Sequence, residues 1–511
     1  MLYLIPAWYR DGLWSEKEQY WYVQRTQTEF DDTVKQMQLF HRSGAVPYKV
    51  LLLGYSPNFR HFLHRQGVLR APYWSCFDAI QEIRRKKPAV FSFNNINWPV
   101  GTEFVYTPFV VLAYLQKKKF AKVEFGEDGN PIQIDMYENG LLCRRNIYDD
   151  RGFVSGSVVY KDGKELYQDY LMENGVWKAR VYAENGHVII NPNYPHYCIT
   201  DGKEETVRTF TKSEYDTMEE LIREVLMAYL KLTKDGDLFC IAMHRQHTAL
   251  LSDALEGRKT IASFFENRYE IKHGGLMRRL LGQAGYVVAD SEKTIEGLKN
   301  DYGALLQNIM YISPFDSRVD FGISSQLSVQ KILVPVEHMP EKELLELLEI
   351  LAGYLLKNDR ARVHLFSRRT DPAIRRVCVQ GVRKVLQKMQ DRKLSEDRFV
   401  LETCVDELSV SKCMKEQRIL VDLREQPELY LQIVAISMGI PQIVKKETQF
   451  VRNGMNGRVL SEGAELSEVL DFYLGVLENW NEAMISSYEI GKEFSTEVLI
   501  RKWKEVLASF E

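Results

Sequence analysis

The stretch that most limits how this chain can fold runs from Ile419 to Val444, ILVDLREQPELYLQIVAISMGIPQIV. Ile419 to Leu423 is a short apolar run of buried-strand type, and Glu428 to Met438 carries Leu429, Leu431, Ile433, Val434 and Ile436 at helical spacing. Gly439 supplies the left-handed residue that ends a helix, Pro441 blocks continuation, and Gln442 to Val444 returns to strand. Strand, helix and strand in such close succession belong to a doubly wound α/β sheet.

The same alternation recurs on both sides of an interruption. Strands are predicted at Leu2 to Ile5 and Tyr48 to Leu53, a polar amphipathic stretch around Phe30 to Phe40, and a helix over Phe77 to Arg85. After the interruption come a helix Met218 to Leu232, strands Leu238 to Ala242 and Thr260 to Phe264, a helix Gly275 to Ala284 and a strand Tyr286 to Val288. A second lobe opens near Gln330 with strand Lys331 to Val336, helix Glu341 to Lys357, strand Arg362 to Phe366 and helix Ala373 to Gln390. Strand Phe399 to Leu401 and a helix near Leu408 to Glu416 lead into the opening stretch. Such lobes bind ligands at the carboxyl ends of their strands, hence in the cleft between them.

The interruption has its own rhythm. Between Phe120 and Pro192 the turn signals Asp128-Gly129, Asn139-Gly140, Gly152, Asp162-Gly163, Asn174-Gly175 and Asn185-Gly186 place glycines eleven or twelve residues apart. Asn-Gly and Asp-Gly favour the positive φ angles of tight hairpins, and strand formers such as Ile132, Val158, Tyr160, Trp177 and Val181 fill the intervals. An antiparallel meander of six or seven strands is predicted, either covering a neighbour or receiving a partner by strand addition. The expected division is 1–119 and 208–325 for the first lobe, 120–207 for the meander, 326–490 for the second lobe, and 491–511 for a helix packing back across the lobes.

Composition narrows the function classes. A net charge of −3 over 511 residues gives no electrostatic case for nucleic acid. Seven cysteines without a C-x-x-C pair read as reduced, buried thiols, and neither a signal segment nor a membrane-length apolar run is present, so a cytoplasmic location is expected. The basic runs Arg84 to Lys87 and Lys117 to Lys119 are too short for stable membrane binding, though they allow peripheral association.

The frame Ala435, Gly439, Ile440, Pro441 resembles the donor-binding centre of retaining glycosyltransferases of the GT-B type, where two glutamates flank a Gly-aromatic-Gly turn. Counted from that frame the acids fall on Gln426 and Val434, and the glycine turn reads Pro427-Glu428-Leu429. In that family the second glutamate holds the ribose hydroxyls; valine accepts no hydrogen bond, at a cost of about 1 to 3 kcal/mol. Pro427 removes one N–H from the helix start that would face the diphosphate, and Glu428 places a like charge there. Glu425 and Glu428 also suit the helix dipole. Where the active enzymes carry a Gly-Arg pair after the second lobe's first strand, this chain has Pro335-Val336-Glu337, with Lys342 near the position of their lysine.

With RRNIYDDRGFVS and QDYLMENGVWK in the meander and GMNGRVL at Gly454 to Leu460, the whole chain is similar to the glycosyltransferase-like member of the accessory secretory protein trio of streptococci and staphylococci. The resemblance implies a GT-B-like α/β fold and a non-catalytic export factor for glycosylated serine-rich repeat adhesins. Its implied partners are the other two proteins of the trio, the accessory SecA ATPase, the adhesin itself and GlcNAc-containing glycans. The competing reading is an active retaining glycosyltransferase with a rearranged donor site, for which Gln432 is the nearest replacement for the lost ribose contact.

Weaker candidates complete the set. His244 follows a strand as cleft residues do, but without a metal-ligand spacing, so neither metal nor cofactor is assigned. Arg278 and Arg279, after His273-Gly274-Gly275, are reserve contacts for an anionic or sugar ligand. Ser155 misses the G-x-S-x-G register by one place, which argues against an esterase. Tyr160 and Trp177 are the candidate docking residues of the meander.

Overall fold

The structure, a computed structural model, describes residues 1–511 except 11, 17–29, 90, 127–128, 201, 203, 267, 269–273, 390–393 and 461–464. Asp128 and His273 therefore lie outside the described residues.

Seven parallel strands form the first sheet, in the spatial order Ile309–Tyr311, Tyr286–Ala289, Lys259–Phe264, Leu238–Ala242, Leu2–Ile5, Tyr48–Leu52 and Tyr73–Ser75. The chain leaves this sheet after Ser75 and rejoins it at Leu238, where Cys240 pairs with Leu4. The second sheet has six parallel strands, ordered Phe399–Thr403, Ala361–Ser367, Gln330–Pro335, Ile419–Asp422, Gln442–Val444 and Gly457–Val459. Its Leu429–Met438 helix stops at Gly439, whose φ of 69° and contact with helix Leu477–Lys492 both require glycine: a Cβ there would sit 2.5 Å from Met484 Cγ. These are the two doubly wound lobes expected from the alternation.

Inserted in the first lobe, between Ser75 and Leu238, lies an antiparallel sheet of ten strands. Eight run in chain order from Glu103–Tyr106 to Trp177–Tyr182, followed by Val188–Ile190 and Glu214–Tyr215. Asn139-Gly140 (φ 49° and 81°) and Asp162-Gly163 (φ 53° and 76°) make the expected hairpin turns. The stretch marked by the glycines holds seven strands, Lys118–Phe125 to Val188–Ile190, as expected, and the sheet extends beyond it on the N-terminal side for a local reason. The turn before Lys118–Phe125 is built from Gln116 and Lys117, which take φ of 50° and 62° without glycine. Residues 196–209 make a separate hairpin of two strands. One helix is also shorter than its apolar pattern predicts: Cys76–Ile80 ends before Arg85 because Glu82 turns to φ 54°.

The DDR of RRNIYDDRGFVS fastens this sheet to the first lobe. Buried Arg151 donates a fork to Asp149 (2.7 and 2.7 Å) and a second fork to Asp78 of the Cys76–Ile80 helix (2.8 and 2.9 Å). Asp150 accepts from the His61 backbone N–H at 2.8 Å, and Gln81 donates to the Ser155 and Leu171 carbonyls at 2.7 and 2.6 Å. The Ser155 hydroxyl is fully buried 2.6 Å from the Tyr55 hydroxyl, in a packed seam with no room for a substrate.

The C-terminal helix Thr496–Ala508 returns to the first lobe. Trp503 meets Phe40 of helix Asp32–Ser43 edge to face at 5.4 Å, and Lys259 donates to the Phe510 carbonyl at 2.6 Å. Among the described residues no helix is long and apolar enough to cross a membrane.

Candidate functional site

The carboxyl ends of both parallel sheets face one cleft, and several strands lead there into charged or aromatic residues. Strand Lys259–Phe264 delivers Phe265, Glu266 and Arg268, and strand Tyr286–Ala289 delivers Asp290. From the second lobe, Gln330–Pro335 delivers Glu337, Ala361–Ser367 delivers Arg368, and Ile419–Asp422 delivers Asp422, Arg424 and Glu428.

On the second lobe these groups satisfy one another. Arg424, buried, forks onto the fully buried Asp422 at 2.8 and 2.7 Å and donates to the Glu337 carbonyl at 3.2 Å. The Glu337 carboxylate accepts from the Ser367 hydroxyl at 2.7 Å and the Arg369 backbone N–H at 2.8 Å. A carboxylate and its donors thus occupy the turn that follows strand Gln330–Pro335. Glu428 starts the Leu429–Met438 helix without capping it. Its backbone N–H donates to Asp422 at 3.2 Å, while its carboxylate ion-pairs with Arg368. Burial raises the Glu428 carboxyl above its ordinary range, against the pull of Arg368 and Arg424. Glu425, three residues ahead of the helix N-cap, is exposed and pairs with Lys445 and, at 3.0 Å, with Lys446.

The first lobe faces this cluster with further negative charge. Glu266 still reaches solvent, yet desolvation at the mouth of the cleft pushes its carboxyl up to about 7, eased by Arg368 and reinforced by Glu428, Asp290 and Asp31. Its backbone N–H donates to Asp290 at 2.6 Å. Arg268, half-buried, is consumed by Asp31 (2.9 Å), Asp32 and the carbonyls of Met243 (3.0 Å) and Ser263 (3.1 Å). A diphosphate would meet carboxylates here, with the guanidinia already engaged.

Aromatic packing closes the cleft. Phe30, Phe265 and Phe315 share one buried cluster with Tyr430, Leu431, Val434 and Ile436 of the second lobe. Phe30 meets Tyr430 at 4.8 Å and Phe315 meets Tyr430 at 5.1 Å, both edge to face. The Arg368 guanidinium lies 4.3 Å from the Phe30 ring centroid, and Lys35 crosses the cleft to Glu407. Gln449 adds a donor to the Asp290 carbonyl at 3.4 Å. Inside the first lobe, a cavity of about 10 Å³ beside Asp32, Ser263, Asp290 and Trp503 has room for one water.

The sequence-derived candidates scatter around this centre. Val434 is buried in the aromatic cluster, Gln426 is exposed, and Pro427 is half-buried at the helix start. Gln432 is fully buried, its side-chain oxygen accepting from the Thr448 hydroxyl at 2.7 Å while its amide nitrogen is enclosed without a hydrogen-bond partner, so it stands inside the lobe. Lys342 is exposed beside Glu346 on the outer start of its helix. Arg278 and Arg279 are exposed on helix Gly274–Gln283; Arg279 pairs with Asp253 at 2.5 Å and Arg278 lies 5.6 Å from the Tyr302 ring, all within the first lobe. His244 caps helix Arg245–Ala254, accepting from the Gln246 N–H at 3.3 Å. Its neighbour His247 is buried between the Ala242 carbonyl (2.6 Å) and the Tyr9 hydroxyl (3.1 Å), and burial lowers it to about 3. Tyr160 and Trp177 are half-buried, Arg145 lying 5.8 Å from the Tyr160 ring and Arg180 4.9 Å from that of Trp177. Among the described residues no cluster of His, Cys, Asp or Glu has metal-binding geometry. Sequence reasoning missed Phe30, Arg368 and Glu266; the alternation marks strand ends in general, and nothing local singles these out.

Comparison with known proteins places this geometry. The pneumococcal O-GlcNAc transferase GtfA, solved with UDP and GlcNAc, superposes with a TM-score of 0.71 over 100% of this chain and 98% of its own at 12% identity, which shows the shared glycosyltransferase fold alone. A chain from the crystal structure of accessory secretory protein 1, 2 and 3 in Streptococcus pneumoniae matches far better in sequence, at 30% identity, TM-score 0.82 and full coverage of both chains. An accessory Sec system protein of Streptococcus gordonii is 31% identical across 99% of both chains. The family model for the first of the accessory Sec system proteins, accessory secretory protein 1, matches residues 1–509, and the chain belongs to that family.

Proposed function

We propose that this chain is a non-catalytic scaffold in which a glycosyltransferase fold, its donor cleft packed shut, serves the export of glycosylated serine-rich repeat adhesins. The observation that carries the reading is the interlobe seal. Phe30, Tyr430 and Val434 are buried together where a nucleoside would need space, and Glu428 takes Arg368 where a diphosphate would need positive charge. No pair of carboxylates stands at the two donor positions, which are Gln426 and Val434.

The chain works in the cytoplasm, with the other two proteins of the trio as its partners. A relative 30% identical over its full length was solved together with the other accessory secretory proteins, 2 and 3. The accessory SecA ATPase, the glycosylated adhesin and GlcNAc-containing glycans complete the partner set, and basic runs such as Lys117 to Lys119 allow peripheral contact with the membrane. Tyr160 and Trp177, half-buried on the inserted sheet, are docking residues for a partner or for adhesin. The test is co-purification of the full chain with the other two proteins, together with a deletion strain. A stable complex and adhesin retained inside the cell are the expected results; normal export without the chain would refute the reading.

A further inference from the structure

The ten-stranded sheet has two edges of opposite character. Glu214–Tyr215, at one end, is only two residues long, with Tyr215 buried. At the other end Glu103–Tyr106 pairs on one side only, with Val110–Leu115. Thr107 N–H donates to the Val110 carbonyl, which fixes the alternation: the amides of Phe104 and Tyr106 point away from the sheet.

Edge strands are ordinarily blunted by Lys, Pro or a bulge within the strand. This one reads Glu-Phe-Val-Tyr, its pairing with Val110–Leu115 is in continuous register, and its only charge is Glu103. Val105 is 48% exposed, Tyr106 67%, Phe109 51% and Val100 100%. Phe104 and Tyr106 share a face and both rings meet Phe93, at 5.5 and 6.4 Å, and Phe104 also meets Trp98 at 5.6 Å, so the edge is anchored on the core beneath it although most of Tyr106 stays exposed. Beside its first residues the turn between the next two strands exposes Lys117, Lys118 and Lys119. The outward N–H and C=O groups of Phe104 and Tyr106 call for an occupant that offers C=O and N–H groups in return; the apolar side chains call for apolar alternation; the lysines, which lie past Glu103, call for carboxylates at that end and not opposite Glu103 itself.

We propose that Glu103–Tyr106 is a strand-addition site that takes an extended segment of one of the other two trio proteins, apolar at alternate positions and acidic where it passes Lys117 to Lys119. The proposal rests on the scaffold reading and gives it a location. The sheet becomes eleven strands wide, and the partner is carried at the end farthest in sheet order from Tyr215.

The test uses the full chain mixed with both purified trio proteins. Peptide-level hydrogen exchange over residues 103–107 is expected to slow at least tenfold in the complex. Tyr106→Pro removes an outward donor without taking a bond from the existing ladder, and Tyr106→Lys places charge on the edge. Each is expected to weaken association at least tenfold, while Val207→Lys, on the separate hairpin, leaves it unchanged. Unaltered thermal midpoints for the Tyr106 variants keep the comparison free of misfolding. A complex that forms with residues 103–107 unprotected and Tyr106→Pro binding like the wild type would overturn the strand-addition site and spare the scaffold reading. Protection of the same residues in the chain alone, with dimers in sedimentation, would make a second copy the occupant and also overturn it. Failure of the wild type to bind either protein would refute both.

Discussion

The Phe30 ring, from the start of the chain, stands edge to face against Tyr430 in the second lobe, centroids 4.8 Å apart and planes at 68°. Both rings are buried, so the contact joins the lobes through core rather than through a wet cleft. Truncating a buried aromatic costs about 3 kcal/mol or more. Phe30→Ala is expected to lower the thermal midpoint and to raise the rate of proteolysis near the cleft, and a midpoint equal to the wild type would mean that the lobes are held elsewhere.

Placing glutamates at positions 426 and 434 is not expected to produce sugar transfer. Val434→Glu places a carboxylate among Phe315, Tyr430 and Ile436, and burying it without a partner costs several kcal/mol, about 3 or more. The double variant Gln426→Glu, Val434→Glu is expected to be less stable and to release no sugar from UDP-GlcNAc in a coupled assay for UDP. Turnover by that variant would show that the seal opens readily.

Glu266 gives the cleft a pH signature. Its folded carboxyl is raised to about 7 from an ordinary 4.5, so the folded state holds its proton more tightly than the unfolded one. The stability this provides is fully present below about pH 4.5 and is lost as pH rises through about 7. Because the residue reaches solvent, screening keeps the effect well below that of an enclosed carboxyl. The raised carboxyl of Glu428 acts in the same direction. Buried His247, held at about 3, pulls the other way below about pH 6.5, so the signature is a difference: the thermal midpoint of the wild type relative to that of Glu266→Gln is expected to fall between pH 5 and 8.

Arg151 ties the inserted sheet to the lobe through Asp149 and Asp78. Arg151→Ala strands two carboxylates and is expected to cost about 3 to 5 kcal/mol. Arg151→Lys keeps the charge but loses both forks, and recovers only part of it. Chemical denaturation followed by tryptophan fluorescence checks the order.

Local rules carried much of this molecule. The Leu429–Met438 helix with its Gly439 stop follows from apolar period and glycine placement, and so do the inner strands of both parallel sheets and the Asn139-Gly140 and Asp162-Gly163 hairpins, whereas the short edge strands Tyr73–Ser75, Ile309–Tyr311 and Gly457–Val459 carry too few residues to show a period. The rest was illegible for stated reasons. Gln116 and Lys117 make a hairpin turn with residues that usually avoid positive φ. Gln432 carries no mark of which way it points, and it faces Thr448 rather than the cleft. The sealing contacts join Phe30 to Tyr430 and set Glu266 against Glu428 across long spans of the chain, and no periodicity records a partner so distant. The absent acids at Gln426 and Val434 were visible because a resemblance supplied the positions; what replaced them was not.

Calorimetric titration of the full chain with UDP-GlcNAc tests the sealed cleft most directly. No saturable heat is expected up to millimolar ligand, for the wild type and for Glu428→Gln alike. Micromolar binding accompanied by slow release of UDP would contradict a closed donor site.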